Sequence, residues 1–83
     1  MNITDAHNLI NPEINEILEH MEYYKYGIGF MQCRYAIIGI LSSQERELEF
    51  LEDESDIIQN TTKIKERIEA LKISNADLKE KLK

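Results

Sequence analysis

Few residues in this 83-residue chain have the types and spacing to do chemistry. Glu16 and His20 lie one helical turn apart, so a helix would present both to a metal ion. Helical di-metal sites need more. They take a glutamate from each of two helices and a Glu-x-x-His pair from each of two others. No second ligand pair accompanies Glu16 and His20, so both are expected to be exposed helix neighbours. His7, near the N-terminus, is expected to be solvated. Cys33 has no histidine in helical register, and Arg34 projects about 100° away from it. A small buried thiol is the expectation, since burial rather than reactivity is usual for a free cysteine. The glycines of "YGIGFMQCRYAIIGI" lack the strand and the lysine of a phosphate loop. No paired-carboxylate site separates from the acidic surface. The chain is read as a non-enzyme, with no catalytic, cofactor-binding or metal-ligating residue and no cofactor.

The acids have another use. Residues 45–56, "ERELEFLEDESD", hold seven acids and Arg46, whereas residues 57–83 hold seven bases and four acids. On one helix, Glu45 with Glu49, Glu49 with Asp53 and Glu52 with Asp56 are like-charge i,i+4 pairs, each unfavourable by a few tenths of a kcal/mol. A chain that folds back brings Lys63, Lys65, Arg67 and Lys72 near them. Exposed pairs contribute about 0–1 kcal/mol, so charge chooses orientation more than it stabilises. Glu45, Glu49, Glu52, Asp53 and Asp56 are also the surface that an acidic inhibitor of a basic nucleic-acid-binding protein would use. Direct nucleic-acid binding is not expected, because the tail is only modestly basic and competes with the chain's own acids.

The elements that position these residues are helical. Gly and Pro together number four, and charged residues of both signs make up 31 %. Residues 1–10 show no sustained apolar period and are expected to be a flexible arm; a single domain is expected over 11–83. "NPE" at 11–13 starts a helix: Asn11 caps, Pro12 needs no N–H, and Glu13 suits the dipole. Ile14, Ile17, Met21, Tyr24, Ile28, Met31, Tyr35 and Ile38 then follow three-four spacing. A second seam runs through Ile37, Leu41, Gln44, Leu48, Leu51 and Ile58. A helix from 12 to about 52 follows, roughly 60 Å long. Glycines near 27–29 and the "GILSSQE" stretch are its weak points. A turn is expected within 53–62. Beyond it, Ile57, Thr61, Ile64, Ile68, Leu71, Asn75, Leu78 and Leu82 mark a second helix. Ser74 could cap a local break in it.

The stretch "YYKYGIGFMQCRYAIIGIL" is too short in apolar run, and too interrupted by Gln32 and Arg34, to span a membrane. It reads as a packing face. Gly29, Cys33 and Ala36 form a narrow small-residue stripe, while Tyr24, Ile28, Met31, Tyr35 and Ile38 supply apolar area. A helix apolar over most of its circumference has to be covered from several sides. A chain this short has little else to cover it with. Tyr23 and Tyr26 lie off the seam, where a second surface could use them.

These readings give an all-α protein: a long, kinkable helix and a shorter C-terminal helix in an antiparallel hairpin, within an oligomeric bundle. The function expected is protein binding, as a helical assembly, adaptor or chaperone-like subunit. Its partner is protein, in a homo-oligomer or hetero-complex. The lone cysteine fits a reducing compartment, and the N-terminal "MNITDAHNLINPE" has no signal-peptide pattern, so a cytoplasmic location is expected and the Asn60 sequon is discounted.

Overall fold

The computed structural model describes residues 1–53 and 62–83. They form four helices and, among the described residues, no strand: α1 (Ile3–Ile10), α2 (Glu13–Tyr24), α3 (Ile28–Asp53) and α4 (Thr62–Lys81). The turn expected within 53–62 falls largely on residues outside the described ones, as do Asp56, Ile57, Ile58 and Thr61.

The expected N-terminal arm is instead a helix. Asn2 caps it, its side chain accepting the Asp5 N–H at 2.8 Å, and Asp5 sits in the positive first turn. Ala6 and His7 are buried against α4. At the other end the Asn11 N–H donates to the His7 carbonyl at 2.7 Å. The same Asn11 opens α2, its Oδ1 accepting the Glu13 N–H at 3.1 Å. One asparagine therefore closes one helix and starts the next, with Pro12 between them.

The long first helix of the sequence reading is two helices. Lys25 adopts φ 62° and Gly27 φ 92°. Positive φ ends a right-handed helix; Gly27 has no Cβ to oppose it, whereas Lys25 does. The Lys25 N–H closes α2 on the Met21 carbonyl, and the Met31 N–H opens α3 on the Gly27 carbonyl, both at 3.0 Å. By contrast, α3 runs unbroken through Gly39, Ser42 and Ser43. The break considered at Ser74 is likewise absent from α4.

The break redistributes the seams. Ile14 and Met21 of α2 are buried, with Ile17 and Leu18 partly so. They meet Ile37 and Leu41 of α3, and Leu78 of α4, in one apolar cluster that Phe30, Cys33, Ile40 and Leu82 flank. The second seam, at Ile37, Leu41 and Gln44, is thus the buried one, whereas Ile28, Met31, Tyr35 and Ile38 lie outside. On α4 the buried line is Leu71, Asn75 and Leu78, with Ala70 and Ser74 beside it. Contacts between α3 and α4 are ordered. Arg34 reaches the Leu82 carbonyl at 2.6 Å, Gln44 reaches Ser74 and Asn75, and Glu47 reaches Arg67.

Candidate functional sites: a buried polar chain and an uncovered helix face

The most concentrated chemistry lies where the sequence reading assigned none. His7 is 1 % exposed and bonded at both ring nitrogens, so the solvated histidine expected there is corrected to an anchor. Its Nε2 lies 2.7 Å from Asp77 Oδ2, and its Nδ1 lies 2.7 Å from Ser74 Oγ. Ser74 and Asp77 are one turn apart on α4, so one helix face offers both partners to one ring. The Gln44 amide nitrogen of α3 donates to Ser74 Oγ at 3.0 Å and to Asn75 Oδ1 at 2.9 Å.

Donors and acceptors run in one direction through this set. A carboxylate only accepts, so His7 Nε2–H donates to Asp77. In the neutral ring Nδ1 then accepts from the Ser74 hydroxyl, whose oxygen accepts from Gln44. Serine, histidine and aspartate in sequence are the groups of a nucleophilic triad. Here the serine is fully enclosed, and no external acyl group reaches its oxygen while α1 is in place. What the arrangement does is fasten α1: an eight-residue helix with one fully buried apolar side chain is held by a histidine locked between two residues of α4. Gln44 Oε1 and Asn75 Nδ2 are buried without a protein partner, a cost normally tolerated only where the rest of the set is well bonded. An open groove of about 600 Å³ borders His7 and Asp77, with Leu18, Met21 and Phe30 as its apolar floor and Glu19, Glu22 and Lys81 at its rim.

The acidic surface is accompanied by bases. Glu47 holds Arg67 with two hydrogen bonds, one of them at 3.0 Å. That pair keeps the Arg67 guanidinium above its usual range through the hydrogen bond first, against an opposing desolvation. Lys79 meets Glu45 at 3.1 Å and Lys72 meets Glu52 at 3.9 Å. Arg67 and Lys72 were among the bases expected to do this; Lys79 was not. Glu49 and Asp53 line the same groove as Lys72 and Lys79.

The proposed packing face divides in two. Gly29 is used inside the chain, because the Tyr24 ring lies 3.0 Å from where a Cβ would stand. Cys33 is half-buried on the flank of the apolar cluster. Ala36 is exposed. Tyr24, Ile28, Met31, Tyr35 and Ile38 are all exposed, as are Tyr23 and Tyr26. The last four seam residues, Ile28 to Ile38, occupy one side of α3, within roughly 80° at about 100° per residue. Glu16 and His20 are exposed, His20 standing edge-on to Tyr24 at 6.4 Å. Among the described residues no group of three His, Cys, Asp or Glu could hold a metal ion, and no helix is long and apolar enough to cross a membrane.

The buried chain escaped the sequence reading because its members are far apart in sequence and individually ordinary. Asn2 and Asp5, at capping spacing before Ala6, were the one local signal of a helix there. Comparison of the chain with protein-family models, with curated proteins and with solved structures finds no match.

Proposed function

We propose that this chain is a small non-enzymatic protein-binding subunit. In this reading α3 and α4 form an antiparallel hairpin, braced by α1 and α2, that presents the outer side of α3 to another protein within a helical assembly. The hairpin draws its support from the α3–α4 contacts, in which residue numbers fall on one helix as they rise on the other. One observation carries the binding role: Ile28, Met31, Tyr35 and Ile38 stand exposed in a line on α3. Around them, residues 28–43 hold a single charge, Arg34, and it is turned toward the Leu82 carbonyl. Exposed apolar area with charge removed from its centre is the composition of an interface core.

An adaptor or chaperone-like role would use this surface, and the lone cysteine supports a cytoplasmic setting. The acidic-inhibitor alternative would act through Glu45, Glu49, Glu52, Asp53 and Asp56. It draws less support, since Lys79 and Lys72 stand among those acids. The test is site-specific photo-crosslinking in the native host from position 35, with position 66 on exposed α4 surface as control. Adducts to protein from position 35 and few from position 66 are expected. Equal yields, or adducts confined to position 66, would refute an α3 binding face.

A further inference from the structure

We infer that the occupant of the α3 face is a second copy of this chain, crossing antiparallel about residue 33. The inference rests on the reading of α3 as a protein-binding face and adds the identity and direction of the partner. Three observations carry it.

The first is area. Ile28, Met31, Tyr35 and Ile38 are 79 %, 42 %, 64 % and 42 % exposed. Taking about 150–250 Å² for each, the area of a large aromatic side chain and so an upper bound for Ile and Met, they leave at most roughly 350–550 Å² per chain uncovered. Two copies together bring at most roughly 700–1,100 Å², close to the approximately 1,000 Å² a specific contact needs, so flanking residues of α3 complete the interface.

The second is self-complementarity. A two-fold contact places residue i on residue j and j on i. About residue 33, Ile28 meets Ile38 of the other copy and Met31 meets Tyr35, so every apolar residue of the line has an apolar counterpart. Size matches as well. Gly39, where a Cβ would meet nothing within 4 Å, leaves room near the bulky end of the other copy.

The third is charge. A parallel in-register pair would lay Glu45, Glu49 and Asp53 beside their own copies. The antiparallel crossing sends the two acidic segments to opposite ends, away from one another.

The experiment uses the full chain. Its mass is measured by sedimentation across low to high micromolar concentration, for wild type and for M31E/I38E, with circular dichroism to confirm that the exposed substitutions preserve the helices. On a C33S background, Gln32→Cys and Ser42→Cys are oxidised separately. A wild-type dimer is expected, with self-association weakened at least 100-fold in the glutamate variant. A rapid disulfide is expected from position 32, beside the axis. None is expected from position 42, whose copies would stand about 27 Å apart along the helix. A monomer throughout, a dimer that survives M31E/I38E, or efficient cross-linking at position 42 would each overturn the inference. A monomer that still gives position-35 adducts to a different protein would overturn it while leaving the binding-face reading intact.

Discussion

Replacing His7 with alanine should release α1 from the rest of the molecule. The ring makes one hydrogen bond to a carboxylate and one to a hydroxyl, each at 2.7 Å, at a site where His7 is 1 % and Asp77 9 % exposed. A hydrogen bond to a charged group contributes about 1.5–3 kcal/mol and a neutral one about 0.5–1.5 kcal/mol. Truncation also leaves the Asp77 carboxylate with only Lys81, at 3.9 Å, and the Ser74 hydroxyl with only the Gln44 amide. Opposing this, α1 is short enough to lift and admit water to both, which limits the loss. The expected destabilisation is about 2–4 kcal/mol, read from urea unfolding by circular dichroism at one fixed protein concentration. Amide exchange should quicken over residues 3–10 while α4 stays protected. His20→Ala, at an exposed position, should stay within about 0.5 kcal/mol of wild type. Combining His7→Ala with Asp77→Ala should give less than the sum of the single effects, by about 0.5–3 kcal/mol. An unfolding free energy for His7→Ala indistinguishable from wild type, or strict additivity with Asp77→Ala, would show that the pair does not hold α1.

Two further substitutions test other parts of the structure. Gly27→Ala meets no steric obstacle yet forces a side chain onto φ 92°, so it should lose about 1–2 kcal/mol in the same urea assay; an unchanged midpoint would mean the α2–α3 turn does not need that backbone conformation. Gln44→Leu should lose about 1–3 kcal/mol by stripping Asn75 of its partner, and adding Asn75→Leu should recover most of it, because paired apolar groups replace a polar pair that is only partly satisfied. A double variant worse than the single one would argue that both amides are better bonded than this geometry allows.

Much of the helical content was legible, and the reasons are local. Three-four spacing identifies Ile37, Leu41 and Gln44 as one face and Leu71, Asn75 and Leu78 as another, and both are buried. "NPE" gives the start of α2 to within one residue: the helix was expected from Pro12 and begins at Glu13. The line from Ile14 to Ile38 misled because periodicity counts positions as if the backbone were continuous. The positive φ at Lys25 and Gly27 redirects the chain, so Ile14, Ile17 and Met21 before the turn face inward, whereas Ile28 to Ile38 after it face out. For α1 the window was too short for a period to register, and its anchor is polar, which an apolar pattern does not detect. Ser74 looked like a cap because serine commonly is one. Its actual partner is 67 residues away, a separation that local spacing does not encode.

That separation also orders events in time. During synthesis at about 5–20 residues per second, Ser74 and Asp77 emerge several seconds after His7, and until then the ring has neither partner and α1 can meet only α2, through Asn15 and Asn8. In refolding, closing so long a loop on one contact carries an entropic cost of a few kcal/mol unless other packing has already shortened it. The α2–α3 and α3–α4 contacts are the closer ones in sequence and supply that shortening. Of the four helices, α1 is therefore the first made, the last to dock and the first to leave, and its departure opens Ser74, the one buried serine among the described residues, to water.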